Sequence, residues 1–225
     1  SIDFEGLPTD LRARALDRLE VRFDVMEALG AELLLVESAT SPESLGGVDR
    51  MAGDFALLGE RAAARGLRVG YEARAWGRHV SDYRDAWEVV RRADHPAVGL
   101  VLDSFHIAAR GLSPESVRAI PADRIFHVQI ADAPDVAMDL EFKSRGFRCL
   151  PNEGDMPLMD FVRAVAATGY AGAYSLDLVD NRSRGSLRQL ALDGYRSLIA
   201  LADAAERAEP SCDLDLPPLP PRASI

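Results

Sequence analysis

Short apolar segments alternate with longer segments of helical periodicity along most of the chain. Five short segments rich in Val, Leu and Ile are predicted to be buried strands, at 32–37, 67–73, 98–104, 125–131 and 173–179. Apolar residues at helical spacing lie between them, with Thr9 as a predicted helix cap and further helices predicted after Ser81 and after Pro157. This repeated order predicts a parallel sheet covered by helices. A sixth short strand is expected at 147–151, because the last interval is about two repeats long.

The predicted strands end in polar residues, and this feature favours one of two possible folds. An open doubly wound sheet and a closed (β/α) barrel both fit the alternation, but no glycine-rich phosphate-binding turn follows an early strand. In (β/α) barrels the functional residues project from the carboxyl ends of the strands. Those ends carry Glu72, Asp103, Gln129 and Asp177. Counting back in twos predicts an inward face that contains Gly70, Gly99, Val101, Ile125, His127, Ala173 and Ser175.

Three carboxylates and one amide at the same mouth would repel one another unless a positive group lies between them. A divalent cation is the simplest such group, and oxygen ligands favour Mg²⁺ or Mn²⁺, with Co²⁺ also compatible. The alternative is that each polar residue caps a helix or lies in a solvated loop, which is common for any one of them. The spacing alone leaves both interpretations open.

Composition restricts the class of protein. The 225 residues contain 36 acidic and 26 basic side chains, a net charge of −10, which argues against general nucleic-acid binding and favours a small-molecule partner. The length predicts one main domain. Two cysteines without metal-type spacing indicate a reducing cytoplasm, and no apolar run reaches the roughly 20 residues of a membrane helix.

Several longer stretches resemble one enzyme family. The stretches "GYEARAWGRHVSDYRDAWEVVRRADHP", "VGLVLDSFH", "RIFHVQIADAP" and "FRCLPNEGDMPLMDFVRAVAATGY" are similar to bacterial 3-dehydroshikimate dehydratases of the xylose-isomerase-like TIM-barrel superfamily. The similarity is strongest to the form fused to a 4-hydroxyphenylpyruvate dioxygenase-like domain, and it extends from about residue 3 to 207. The resemblance implies a metal-dependent lyase of quinate and shikimate catabolism that forms protocatechuate.

The resemblance also implies roles for individual residues. Glu72, Asp103 and Gln129 would be metal ligands, with Asp177 in the fourth ligand position. His106 would be an acid/base group, and Ser144 and Arg148 would hold the substrate carboxylate. Removal of the C4 proton beside the C3 ketone creates negative charge that a metal stabilises, and loss of the C5 hydroxyl needs a proton donor.

The chain departs from the family pattern in three respects. Family members carry Glu in the fourth ligand position, and Asp177 is shorter by one methylene, about 1.5 Å. Ile2 stands where relatives tend to have arginine. The first two strands of the (β/α)8 barrel have no counterpart, so we expect an N-terminally incomplete barrel domain at 1–208, followed by a Pro-rich linker at 209–225.

Two other functions stay open at this point. A sugar isomerase or epimerase of the same superfamily would use similar ligands with a different acid/base set. A noncatalytic binding domain would turn over neither substrate, and Asp177, Ile2 and the missing strands lend it some support. The resemblance leaves oligomerisation open and implies a fused C-terminal dioxygenase-like domain as the partner.

Overall fold

Five parallel strands form one sheet in which sequence order and spatial order coincide. The computed structural model describes residues 3–178 and 186–207. Within these residues the strands are β1 (Leu33–Glu37), β2 (Arg68–Glu72), β3 (Val98–Asp103), β4 (Ile125–Ile130) and β5 (Tyr174–Leu176), arranged in the order β1-β2-β3-β4-β5. All four pairings are parallel. The five strands predicted from the apolar pattern are therefore confirmed, and the arrangement is that of a partial (β/α) barrel.

Helices connect each strand to the next, and a helix precedes the first strand and another follows the last. They are α1 (Thr9–Leu29), α2 (Val48–Ala63), α3 (Tyr83–Ala93), α4 (Ser104–Ala108), α5 (Leu140–Phe147), α6 (Leu158–Ala166) and α7 (Leu187–Arg207). Two short 3-10 helices, Pro114–Ala119 and Ala122–Arg124, precede β4. None of the described helices is long and apolar enough to span a membrane.

Two predicted helix starts are shifted by one residue. Thr9 is the first helical residue of α1, so Pro8 takes the cap position that was predicted for Thr9. Asp82 caps α3 in place of Ser81, because its carboxylate accepts a hydrogen bond from the Arg84 N–H. The start after Pro157 is confirmed, since α6 begins at the next residue.

The two faces of the sheet differ in what covers them. Side chains on the outer face, such as Val69, Leu100 and Val128, are fully buried in the main apolar core with the helices. The opposite, inner face carries Gly70, where an added Cβ would lie 2.6 Å from Val101 Cγ2. A small residue at this position therefore matches the expectation of a crowded barrel interior.

A β-bulge in β4 corrects one predicted inward position. The register advances from Leu100 opposite Ile125 to Val101 opposite His127, so β4 contains one residue more than β3 at this point. Phe126 faces Gly99 on the inner side, where an added Cβ would meet the ring at 2.7 Å. Ile125, which simple alternation predicts on the inner face, instead joins the outer core at 3% exposure.

The predicted sixth strand at 147–151 is not a strand in the structure. Phe147 ends α5, and Cys149 forms only an isolated antiparallel bridge with Asp132. Strand β5 pairs directly with β4, so this segment has no place in the sheet. The predicted linker at 209–225 lies outside the described residues.

Candidate active site

Three buried side chains meet at the carboxyl end of the sheet. Glu72 is the last residue of β2 and Asp103 the last residue of β3, and His106 lies one turn further on in α4. One side-chain atom of each lies within 4.8 Å of the corresponding atoms of the other two, and all three residues are buried. The carboxyl ends of adjacent parallel strands lie at the same edge of the sheet, so the strand order alone brings these groups together.

The other two strand-end residues lie on the same face. Gln129 is directly opposite Asp103 in the β3–β4 register. Asp177 follows the last residue of β5, two residues after Ser175, which is itself opposite Gln129. The structure therefore places all four residues proposed as metal ligands at the carboxyl end of the sheet and on its inner face.

A guanidinium group lies between the carboxylates. Arg148 Nη1 donates to Asp103 Oδ2 at 2.6 Å and to Asp177 Oδ2 at 2.7 Å. Its Nε donates to Ser144 Oγ at 3.0 Å, and its Cζ lies 4.4 Å from the centre of the Phe105 ring. Burial alone would lower the pKa of Arg148, but the Asp103 and Asp177 carboxylates outweigh it and raise the pKa, so this residue is a fixed positive charge.

The orientation of the His106 ring is fixed by the backbone. The Ala75 N–H donates to Nδ1 at 3.2 Å, so it competes for the one lone pair of the neutral ring with Arg148, whose guanidinium N–H faces Nε2. That nitrogen lies 3.7 Å from Asp103 Oδ2 and 3.2 Å from Arg148 Nη2. Burial lowers the pKa of His106 to about 4, and Arg148 and Arg74 add to this against the opposing effect of Asp103, so the ring is neutral at pH 7.

Two buried oxygen atoms at the site lack a partner. Glu72 Oε1 and Gln129 Oε1 have no hydrogen bond among the residues that the structure describes. Burial raises the pKa of Glu72 well above its ordinary value, and the negative charges of Asp103, Glu37 and Asp177 raise it further. Unpaired buried acceptors are rare in proteins, so these atoms indicate a missing positive or donating group. The donor set of carboxylate and amide oxygens fits a hard divalent cation.

The sequence interpretation missed two charged residues at this edge. Glu37 ends β1 and lies opposite Glu72 in the register, on the same face. Its strand-end position was a visible signal, equal to that of the four residues selected. Arg74 follows β2, is 6% exposed, and has its Nη1 3.7 Å from Glu37 Oε2. Its Nε donates to the carbonyl of Ser38, and this long-range contact is not predicted by any local sequence pattern.

The comparison with protein families and known proteins gives a consistent result. The family model described as "Xylose isomerase-like TIM barrel" matches residues 1–201. A 3-dehydroshikimate dehydratase of Pseudomonas putida is 48% identical over 202 residues, which cover 89% of this chain and 32% of that protein. The protein of the same name from Pseudomonas aeruginosa is 43% identical over 228 residues, 99% of this chain and 36% of the relative. The chain thus spans about a third of the length of these relatives.

Solved structures with the same fold include one with high identity. A xylose isomerase-like TIM barrel/4-hydroxyphenylpyruvate dioxygenase fusion protein is 48% identical, with a TM-score of 0.87 over 90% of this chain and 33% of that chain. A structure described as the IOLI protein with a bound zinc atom has a TM-score of 0.78 over 90% of this chain and 74% of that chain. Its identity is 18%, so this second likeness supports the fold alone.

Proposed function

Since the chain belongs to the xylose isomerase-like TIM barrel family, we propose that its site catalyses the metal-dependent dehydration of 3-dehydroshikimate to protocatechuate. The observation that carries the proposal is the pair of 3-dehydroshikimate dehydratases that are 48% and 43% identical over most of this chain. The cluster at the carboxyl ends of β2 and β3 would supply the metal ligands and the acid/base group of this reaction. We propose further that the natural protein has a second, dioxygenase-like domain, as the fusion protein does.

The metal would be held by Glu72, Asp103, Gln129 and Asp177. Their fit to a cation rests on the orphaned oxygens of Glu72 and Gln129 and on the oxygen-rich donor set. When bound, a divalent metal ion supplies stabilisation for the negative charge that develops on the substrate after proton removal. Mg²⁺, Mn²⁺ and Co²⁺ are the candidates that the donor set favours.

Arg148 and Ser144 would bind the substrate carboxylate. The Arg148 side chain is 2% exposed and lies directly beside the carboxylates of the metal site, so a substrate anion bound there would be close to the reacting centre. The Arg148 N–H groups that bond Ser144, Asp103, Asp177 and His106 hold the guanidinium in place, and the second N–H of Nη2, which has no bond among the described residues, would donate to the substrate carboxylate. Ser144 holds the Arg148 Nε from the helix α5, one turn away, and so fixes the plane of the guanidinium.

His106 would act as the acid/base group through Nε2. This ring nitrogen faces the carboxylate cluster, 3.7 Å from Asp103 Oδ2. In the reaction one proton leaves C4 of the substrate and one is taken up by the C5 hydroxyl, which leaves as water. The step balances if Nε2 accepts the first proton and delivers the second.

The test is turnover of 3-dehydroshikimate by the natural full-length protein. Protocatechuate formation is followed by absorbance after the protein has been stripped with a chelator and again after addition of Mg²⁺, Mn²⁺ or Co²⁺. We expect activity that disappears on stripping and returns with at least one metal. Turnover of a sugar without an aromatic product would instead support an isomerase or epimerase, and turnover of neither would support a binding domain.

Replacement of His106 tests its role separately. His106→Ala is expected to lower kcat by about 10²–10⁴-fold, the range for general acid–base groups, while metal affinity stays near that of the wild type. His95→Ala is the matched control, because His95 lies before the amino end of β3, at the opposite end of the strand, where its Nδ1 accepts from the Ala97 N–H. Full activity of His106→Ala would remove this residue from the mechanism.

A further inference from the structure

A buried carboxylate outside the predicted site collects an unusual number of backbone hydrogen bonds. Asp132 lies two residues after β4 and is 2% exposed. Its Oδ1 accepts from the N–H groups of Ala133 at 2.8 Å and Met156 at 3.0 Å. Its Oδ2 accepts from those of Asn152 and Gly154, both at 3.0 Å. The segment 150–156 therefore wraps around this single side chain.

The backbone of Asp132 also holds the residue next to Arg148. The Asp132 N–H donates to the Cys149 carbonyl at 3.0 Å, and the Cys149 N–H donates to the Asp132 carbonyl at 2.8 Å. Arg148 directly precedes this bridge, so its backbone is fixed within one residue of the pairing. The direction in which its side chain leaves the chain is thus set by the same element that holds the loop.

A second contact route connects the loop to the guanidinium. Met156, whose N–H is bonded to Asp132, packs against a small apolar cluster that contains Phe105. The ring of Phe105 is the surface on which the Arg148 guanidinium lies. Both the backbone and the supporting ring of Arg148 therefore depend on the loop around Asp132.

The loop is shaped for this carboxylate. A Cβ added at Gly154 would lie 2.5 Å from both Asp132 Oδ1 and the Ala133 carbonyl oxygen, so only glycine allows the close approach. Asn152 has a φ of 69°, in the left-handed region that a β-carbon disfavours. Backbone conformations of this kind persist where the surroundings determine them.

We propose that Asp132 is a positioning residue that sets Arg148 for recognition of the substrate carboxylate. The inference rests on the proposed function, because it assigns Asp132 a role in binding that substrate. Asp132 touches neither the metal ligands nor the substrate in this scheme, and acts through the segment 149–156. Its loss is therefore expected to weaken substrate binding and not metal binding.

The test is steady-state kinetics of Asp132→Asn in the natural full-length protein. The substitution keeps the size of the side chain but replaces one acceptor oxygen with an NH₂ group, which cannot accept from the N–H groups it faces. We expect KM for 3-dehydroshikimate to rise on the order of 10-fold, with a smaller change in kcat and an unchanged Mn²⁺ dissociation constant. Asp155→Asn is the control, because Asp155 is exposed in the same loop and accepts one bond, from the Asp135 N–H.

A double-mutant cycle distinguishes positioning from general support of the fold. If Asp132 acts through Arg148, Asp132→Asn adds no further increase in KM once Arg148 is replaced in Arg148→Met. A purely structural role would instead lower the amount of active protein, which reduces apparent kcat and leaves KM unchanged. Independent, multiplicative effects of the two substitutions on KM would overturn the inference.

Hydrogen exchange supplies a readout that does not depend on turnover. The amides of Asn152, Gly154 and Met156 are expected to exchange faster in Asp132→Asn than in the wild type, while those of β3 keep their protection. Unchanged exchange in this loop would show that Asp132 does not hold it. If the wild type forms no protocatechuate, the proposed function is contradicted. If the wild type is active and Asp132→Asn has the same KM as the wild type, only this inference is contradicted.

Discussion

Glu5 is a single residue whose environment makes stability depend on pH. Its Oε1 accepts from the Ala39 N–H and from the Tyr71 hydroxyl group, and its Oε2 has no partner among the described residues. Burial raises the pKa of Glu5 from 4.5 to about 7. The folded protein thus keeps a proton on Glu5 between these pH values, while the unfolded chain has released it. The contribution of the raised Glu5 pKa to the free energy of unfolding is therefore complete below pH 4.5 and is lost as the pH rises through about 7.

Replacement of Glu5 should remove this dependence. Glu5→Gln is a permanent mimic of the protonated group, so the free energy of unfolding of the wild type should fall relative to that of the variant as the pH rises from about 5 to 8, by on the order of 3 kcal/mol. Urea unfolding at a series of pH values measures the difference. Glu43→Gln, at an exposed position, is the control. Parallel pH profiles for wild type and Glu5→Gln would contradict the argument.

Asp177 is one of the positions at which the chain departs from the family pattern. Its Oδ2 is bonded to the same nitrogen of Arg148 as Asp103, and burial raises its pKa. We expect Asp177→Glu to bind Mn²⁺ or Co²⁺ more tightly, because the side chain gains about 1.5 Å of reach. Asp177→Asn should bind more weakly, because a charged oxygen ligand is lost.

Metal titration of the two Asp177 variants and the wild type measures these changes directly. Asp155→Glu, in an exposed loop, controls for the added methylene. Equal affinity of the wild type and Asp177→Glu would show that the backbone already compensates for the shorter side chain. In that case the idea of a weakened metal site would have to be abandoned.

At the scale of the element, the bulge in β4 depends on the absence of a side chain in β3. Gly99→Ala would place a Cβ 2.7 Å from Cγ, Cδ1 and Cε1 of Phe126. Because Cγ is the atom that joins the ring to the rest of the side chain, the ring must move as a whole. We expect a loss of about 1–3 kcal/mol in the free energy of unfolding, the usual cost of overpacking. Gly53→Ala is the control, because nothing lies within 4 Å of a Cβ added there in α2.

Urea unfolding of the two glycine variants separates the bulge from general effects of alanine. Gly53→Ala should gain roughly 0.5–1 kcal/mol, as expected for glycine replaced within a helix. A gain of similar size for Gly99→Ala would show that Phe126 yields freely and that the bulge does not need this glycine.

The elements differ in how far the sequence determines them. The strands were predictable because their apolar runs are buried by helices on the outer face whatever their neighbours are. The bulge at Phe126 was not, because it arises from the fit between β3 and β4 and leaves no trace in the alternation of β4 alone. The prediction of a strand at 147–151 was wrong for a related reason. This segment leads into a loop around Asp132, and the contacts between the loop and Asp132 are long-range.

For the whole molecule, the same division applies to the candidate site. Glu72 and Asp103 could be selected from sequence, since strand ends of a parallel sheet share one edge. Glu37 carried the same signal and was passed over. The bond of Arg148 to two carboxylates could not be predicted, because the resemblance implied only a role toward substrate and the residue lies outside any strand.

The two hydrogen bonds from Arg148 Nη1 also connect the ends of two strands that are not neighbours in the sheet. Asp103 ends β3 and Asp177 follows β5, so β4 lies between the two carboxylates that one nitrogen joins. Neighbouring strands are about 4.8 Å apart, so two intervals span ~10 Å on a flat sheet. Both oxygens lie within 2.7 Å of one nitrogen, so they are much closer together than two strand intervals. Curvature of the sheet and an inward lean of the two side chains both bring them together. The guanidinium thus bridges the ends of β3 and β5 across β4, and a change that moves these two ends apart would break one of its two bonds.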